Sequence, residues 1–245
     1  DVESTLTVGT DYTVSLNANQ NTNPGGTVTL TSALATNFKL VLTSAVPNLQ
    51  PVDITNVSGL DDHVADTVQK FGKIDILVNN AGVEKRADFW NVTEAEYDFV
   101  MQINLRGTFF ITQDFVNHLI ATKRTGRIIN MSSVHEEMAF PHFSTYCASK
   151  GGLKMLCRNL AVELGPLGIT INNIAPGAIA TPINKALLNN PELMKLLESK
   201  IPLGRLGTPN DVAGLAAFLS SDDAAYMTGA TFFVDGGLIR NYHEQ

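Results

Sequence analysis

The chain has 245 residues, with 24 acidic against 17 basic side chains and a formal charge of −7. That length holds one α/β domain or two small ones, and a 44% hydrophobic share supplies a sizeable core, which excludes wholesale disorder. The acidic balance excludes a general binder of nucleic acid or anionic membrane, because no basic surplus exists to neutralise phosphates. There is no apolar run of about 18 residues to span a bilayer and no basic-then-apolar leader. A cytoplasmic protein without a membrane partner is the expectation.

Residues 1–52 carry four charged side chains (Asp1, Glu3, Asp11 and Lys39) among ten threonines and six asparagines. Thr5 to Val8 and Thr27 to Thr31 alternate like half-buried strands around the turn signal Asn23-Pro24-Gly25-Gly26. Phe38 to Leu42 reads as a third strand. From Asp53 onward, helix-period and strand-like segments alternate. A helix over Gly59–Phe71 leads to a strand at Ile74–Val78. A long helix over Thr93–Thr122 follows, irregular near Gly107, and then a strand at Arg127–Met131. The helix Thr145–Leu164 precedes the strand Ile169–Ile174, and the helix Pro209–Leu219 opens on a proline suited to a first turn. Thr231–Val234 is the last strand. This alternation predicts an α/β fold: a doubly wound, mostly parallel, Rossmann-like sheet covered on both faces. Residues 1–245 read as a single domain, with 1–52 as an atypical β-rich segment.

The two cysteines, Cys147 and Cys157, fall on one predicted helix at a separation of roughly 15 Å, too far for a bridge. Tyr146 and Lys150 lie four apart in that helix and project from one face. An ammonium beside a phenol favours the phenolate, so the expected Tyr146 pKa is lowered, making the tyrosine a general acid/base for a hydroxyl or carbonyl. Ser133 follows the strand Arg127–Met131 at the carboxyl edge, where α/β sheets place their sites, and can bind the same substrate oxygen. Asn80-Ala81-Gly82 ends the preceding strand with small side chains, Asn104 sits near the predicted irregularity, and Pro176-Gly177 follows the strand Ile169–Ile174. His63, His118, His142 and His243 show no metal-ligand spacing, so no metal is expected.

Together these residues resemble the short-chain dehydrogenase/reductase family across 53–240. The matching text is Asn79-Asn80-Ala81-Gly82, Asn104, Ser133, Tyr146-x-x-x-Lys150, Pro176-Gly177 and Asp235-Gly236-Gly237. The resemblance implies an NAD- or NADP-dependent oxidoreductase in which Tyr146 is the acid/base and Ser133 positions the reacting oxygen. It implies that Lys150 holds the nicotinamide ribose and that Asn104 anchors a water of the proton relay. It places Asp53 beside the adenine, Asn80, Ala81 and Gly82 along the adenosine ribose, Pro176 and Gly177 at the cofactor, and Ile179 and Thr181 at the nicotinamide amide.

Within that family the chain looks most like bacterial glucose 1-dehydrogenases, through Ser132-Ser133-Val134-His135-Glu136, Asn80-Ala81-Gly82-Val83-Glu84 and Thr181-Pro182-Ile183-Asn184. By that resemblance Glu84, His135 and Asn184 line a sugar pocket and glucose C1 is the favoured site of oxidation. The alternatives are a carbonyl reductase or alcohol dehydrogenase on another substrate, and a catalytically silent subunit. A homotetramer is also implied. Residues 1–52 lack the glycine-rich turn Thr-Gly-x-x-x-Gly-x-Gly with which the family cradles pyrophosphate, which leaves the choice between NAD and NADP unread.

Overall fold

The computed structural model describes backbone strands at 12–16, 26–30 and 40–43, and then residues 61–181 and 190–241. Strands β1 (Tyr12–Leu16) and β2 (Gly26–Leu30) form an antiparallel hairpin with Val14 opposite Val28. Strand β3 (Leu40–Thr43) joins the main sheet. The expected β-rich character of the N-terminal segment is thus present, with one difference. The partner of the 27–31 strand is Tyr12–Leu16, whose alternation Tyr-Thr-Val-Ser-Leu had drawn no strand expectation, whereas Thr5–Val8 and the turn residues 23–25 lie outside the described residues.

The main sheet has the order β3-β4-β5-β6-β7 and is parallel throughout, with β4 at Ile76–Asn79, β5 at Gly126–Met131, β6 at Ile169–Pro176 and β7 at Thr231–Val234. Parallel strands are covered on both faces and so read as apolar runs rather than alternations. Leu77, Ile128 and Ile171 face one layer with Val64 of helix α1 (Asp61–Phe71), Phe115 and Leu119 of α3 (Thr108–Thr122), and Cys157 of α4 (Ser144–Leu164). Ile76, Val78, Ile129 and Ile174 face the other, against Val212, Leu215 and Leu219 of helix α6 (Pro209–Ser220). Phe115 and Leu119 are fully buried, each worth about 1.5–3 kcal/mol in area removed from water.

A polar row crosses this core. Asn79 Nδ2 donates to Thr112 Oγ1 at 3.0 Å and to Asn130 Oδ1 at 2.8 Å, and Asn130 Nδ2 donates to Asn173 Oδ1 at 3.0 Å. The three asparagines are register partners on β4, β5 and β6, so each buried amide finds the next one at strand spacing.

The helix ends follow local chemistry. Thr93 and Glu96 form a capping box at α2 (Glu94–Met101), and Thr208 with Asp211 forms another at α6 ahead of Pro209. The expected irregularity near Gly107 is a π-helical stretch, Gln102–Gly107, that joins α2 to α3. The chain also forms helix α5 (Pro191–Glu198), capped by Asn190, which the sequence analysis did not anticipate. The cap-then-proline signal Asn190-Pro191 marks its start, and Leu193 and Leu196 stay half exposed.

Candidate active site

The carboxyl ends of β4, β5 and β6 converge on the start of α4. The π-helical stretch carries Asn104, only 1% exposed, into this corner. Its carboxamide clasps the loop after β4. Val83 N donates to Asn104 Oδ1 and Asn104 Nδ2 donates to Val83 O, each at 2.8 Å, and Nδ2 also donates to Ser149 Oγ at 3.1 Å. A local π-turn inserts one extra residue and so re-aims a side chain, which is its common use at functional sites.

Ser133 is buried at the end of β5, where its Oγ accepts from His135 N at 3.2 Å and caps the short 3-10 turn Val134–Glu136. The Ser133 side chain faces the Tyr146 hydroxyl and acts to lower its pKa. Lys150 lies one helical turn further along α4, is 3% exposed, and donates from Nζ to Met131 O at 2.7 Å. Its Nζ stands 5.5 Å from the Tyr146 ring centroid.

The proton energetics differ from the sequence expectation. Burial pushes Tyr146 up to about 12, aided by the negative charge of Glu84 and by Cys147, and the Ser133 side chain only partly offsets it. Burial also pushes Lys150 down to about 8, against a raising influence from Glu136. The ammonium expected to lower the phenol is itself desolvated, so in the free chain burial wins and Tyr146 stays a phenol.

The other predicted positions sort as follows. Asn80 is exposed and Ala81 and Gly82 are half-buried just beyond β4; Pro176 ends β6 and Gly177 follows it. A Cβ on Gly177 would lie 2.8 Å from Asp235 Cβ and 2.9 Å from its Cα, so the close approach of the β6 and β7 ends requires glycine. Ile179 bridges Gly207, and Thr181 is half-buried. Asp53 and Asn184 lie outside the described residues.

Glu84 is partly buried, its pKa raised by desolvation against a lowering influence of Arg86, and its charge is felt at Tyr146. His135 stacks on Phe143, with centroids 6.0 Å apart and planes within 8°, and meets Tyr146 edge-on at 5.9 Å. Its Nδ1 lies 3.0 Å from Met138 O. A carbonyl can only accept, so Nδ1 carries the hydrogen of this contact and Nε2 is left for other partners. The loops bearing Glu84 and His135 are tied together by Ala87 N donating to His142 O at 3.0 Å and by His142 Nδ1 at 2.7 Å from Asp88 Oδ1.

Glu136 was quoted in the sequence motif but given no role. Its carboxylate is fully buried behind Ser133, and Ser132 Oγ donates to Oε2 at 2.5 Å. A carboxylate four residues after a serine at a strand end was the available signal. Among the described residues, no group of three or more His, Cys, Asp or Glu side chains could hold a metal ion, and no helix is long and apolar enough to cross a membrane.

Comparison with known proteins places this geometry. The family model described as enoyl-(acyl carrier protein) reductase matches residues 18–239, so the family likeness begins well before Asp53, where the sequence motifs begin. The chain is 46% identical over 168 residues to 3beta-hydroxysteroid dehydrogenase 1 of Eggerthella lenta, covering 69% of this chain and 64% of that protein. It is 40% identical over 174 residues to L-rhamnose-1-dehydrogenase of Scheffersomyces stipitis, covering 71% and 67% of the two chains. Among solved structures, a gluconate 5-dehydrogenase from Burkholderia cenocepacia in complex with NADP and tartrate superimposes with a TM-score of 0.75 at 34% identity, covering 78% of this chain and 74% of that one. With its parallel doubly wound sheet, its Tyr146/Lys150 helix and a family match spanning most of its length, the chain belongs to the short-chain dehydrogenase/reductase family.

Proposed function

We propose that the chain is an NAD- or NADP-dependent dehydrogenase that oxidises the hydroxyl of a sugar, glucose C1 first, through Ser133, Tyr146 and Lys150. The observation that carries the reading is the convergence of Tyr146 hydroxyl, Ser133 and buried Lys150 at the carboxyl edge of β5. When bound, the nicotinamide supplies a hydride acceptor or donor. The residues at that end fit such a group: a glycine stands at Gly82, where a Cβ would be 3.6 Å from Lys150 Nζ and 3.7 Å from Asn104 Oδ1. Lys150 therefore faces a backbone without a side chain, and its remaining donors are available to a ribose diol. Asn80, Ala81, Gly82, Pro176, Gly177, Ile179 and Thr181 would border that group, and Asp53 would meet its adenine.

Ser133 Oγ and the Tyr146 hydroxyl together hold the substrate oxygen. In oxidation Tyr146 takes the hydroxyl proton, and in reduction it returns one. Because Tyr146 is a phenol in the free chain, oxidation needs the Lys150 ammonium to favour the phenolate once substrate and cofactor exclude water. Asn104, fixed by Val83 and Ser149, orders the inner end of the proton path through a water.

For the sugar reading, Glu84 and His135 Nε2 offer polar groups beside Tyr146, and Asn184 would complete the set. A pocket built on such groups rejects analogues lacking the hydroxyl. A second reading has its own observation. Phe143 stacked on His135, with Phe140 at 5.5 Å from the same ring, makes an aromatic wall suited to an apolar ring alcohol such as a hydroxysteroid. A homotetramer is proposed on the family resemblance, with exposed Phe109, Met155 and Val162 on α3 and α4 as apolar candidates for its interfaces. A cytoplasmic location belongs to the same proposal.

The test is a titration with NADH and NADPH followed by nicotinamide fluorescence, then turnover with glucose, rhamnose and a 3β-hydroxysteroid. Saturable binding with sugar turnover that disappears in Tyr146→Phe is expected. Steroid turnover alone selects the second reading, and no cofactor binding by the folded chain overturns both.

A further inference from the structure

We propose that Glu136 is the counter-charge of the active site, a positioning residue that acts through Lys150 by holding its side chain in the ammonium form. The inference rests on the proposed role of Lys150. A carboxylate with no exposed surface is costly unless something offsets it, yet Glu136 sits on the 3-10 turn packed against α4. Ser132 Oγ binds its Oε2 at 2.5 Å. Oε1 has no hydrogen-bond partner among the described residues, and the nearest cation is Lys154 Nζ at 4.0 Å.

Lys154 pairs more closely with its other neighbour: its Nζ donates to the exposed Glu137 Oε1 at 2.6 Å, on which Arg158 and Arg240 also act. Ser132 adjoins Met131, the carbonyl that anchors Lys150 Nζ, so Glu136 and Lys150 hang from consecutive residues at the end of β5. The remaining ionisable neighbours on α4 are Tyr146, Cys147 and Cys157, and Glu84 faces Tyr146 from the loop after β4. Glu136 is the charge that opposes desolvation of Lys150, and it also pushes the Cys157 thiol up.

The assignment explains how a lysine so buried can carry the charge its task needs. An opposite charge beside a buried ammonium raises its titration midpoint by roughly one pH unit. Removing the Glu136 charge therefore moves loss of the ammonium to lower pH.

The experiment is a 13C NMR pH titration of the whole chain labelled at lysine Cε, with the Lys150 resonance assigned by its loss in Lys150→Met. It needs no cofactor or substrate, so an error in the proposed reaction leaves it intact. In Glu136→Gln, which keeps the size and an acceptor for Ser132, the Lys150 midpoint is expected to fall by roughly one pH unit. Glu136→Asp is expected to restore most of it. Where turnover is measurable, the alkaline limb of kcat moves the same way. A folded Glu136→Gln with the wild-type midpoint overturns the proposal. If Glu136→Gln does not fold, Glu136→Asp decides: its carboxylate withdraws by one methylene, so an intermediate fall supports the assignment and a midpoint above that of the wild type refutes it.

Discussion

Asn104→Ala tests whether the clasp between the π-helical stretch and the loop after β4 bears stability as well as geometry. The side chain makes three hydrogen bonds, and two of them satisfy both the N–H and the C=O of Val83, a residue 4% exposed. Deleting the carboxamide leaves those two backbone groups buried without partners, at about 1–3 kcal/mol each. Ser149 suffers less, because its Oγ also donates to Tyr146 O at 2.7 Å. The expected loss is about 4 kcal/mol, which for a chain of this size lowers Tm by roughly 8–16 °C. Urea and thermal unfolding measure it, with Asn104→Asp as the volume control: Asp keeps an acceptor for Val83 N but sets an oxygen against Val83 O. A drop below about 1 kcal/mol in Asn104→Ala would refute the reasoning, since it would mean that Val83 finds other partners at little cost.

Tyr146→Phe, which keeps the ring and removes the hydroxyl, is expected to cut kcat by at least roughly 10²–10⁴-fold, with cofactor affinity retained in the fluorescence titration. Lys150 gives a pH signature in stability. Its folded pKa is lowered to about 8 from the ordinary lysine value of 10.5, so the unfolded chain binds more protons between those values. The cost of burying the ammonium is therefore present below pH 8 and relieved as pH rises to 10.5. Relative to Lys150→Met, the wild type should gain stability over that window, and unfolding curves that keep a constant difference from pH 7 to pH 10 would contradict the burial argument. Gly177→Ala puts a Cβ against Asp235 backbone and should cost about 1–3 kcal/mol by overpacking, read as a lower urea midpoint. Glu84→Ala should reduce sugar turnover while sparing a hydroxysteroid; unchanged glucose kinetics would remove Glu84 from the sugar pocket.

Much of this architecture was written in local signals. Thr208-Pro209 marks the start of α6 because a capping hydroxyl and a proline with no N–H to lose are what a helix entrance favours. Tyr146 and Lys150 meet because four residues make a turn, and the fault near Gly107 is the π-stretch that carries Asn104. What spacing could not reveal was depth. The expected lowering of the Tyr146 pKa failed because sequence gives the neighbour and not its solvation: the same burial that brings Lys150 to the phenol weakens its charge. Glu136 escaped for a related reason. A glutamate in a polar loop reads as solvated, and only packing against α4 removes it from water.

The asparagine row through Asn79, Asn130 and Asn173 has a consequence for how this sheet tolerates change. A slip of any one strand by a residue would turn its amide to the opposite face and break the row, so the heights of the three strand ends are locked to one another. Ser133, Gly82 and Gly177 leave the sheet just above that lock. Glu84 and His135 hang from loops beyond it that Ala87 and His142 tie to each other. Substitutions that reshape the loops can thus retune which ligand is admitted while Ser133, Tyr146 and Lys150 keep their places: recognition can drift while the core of the site stays fixed.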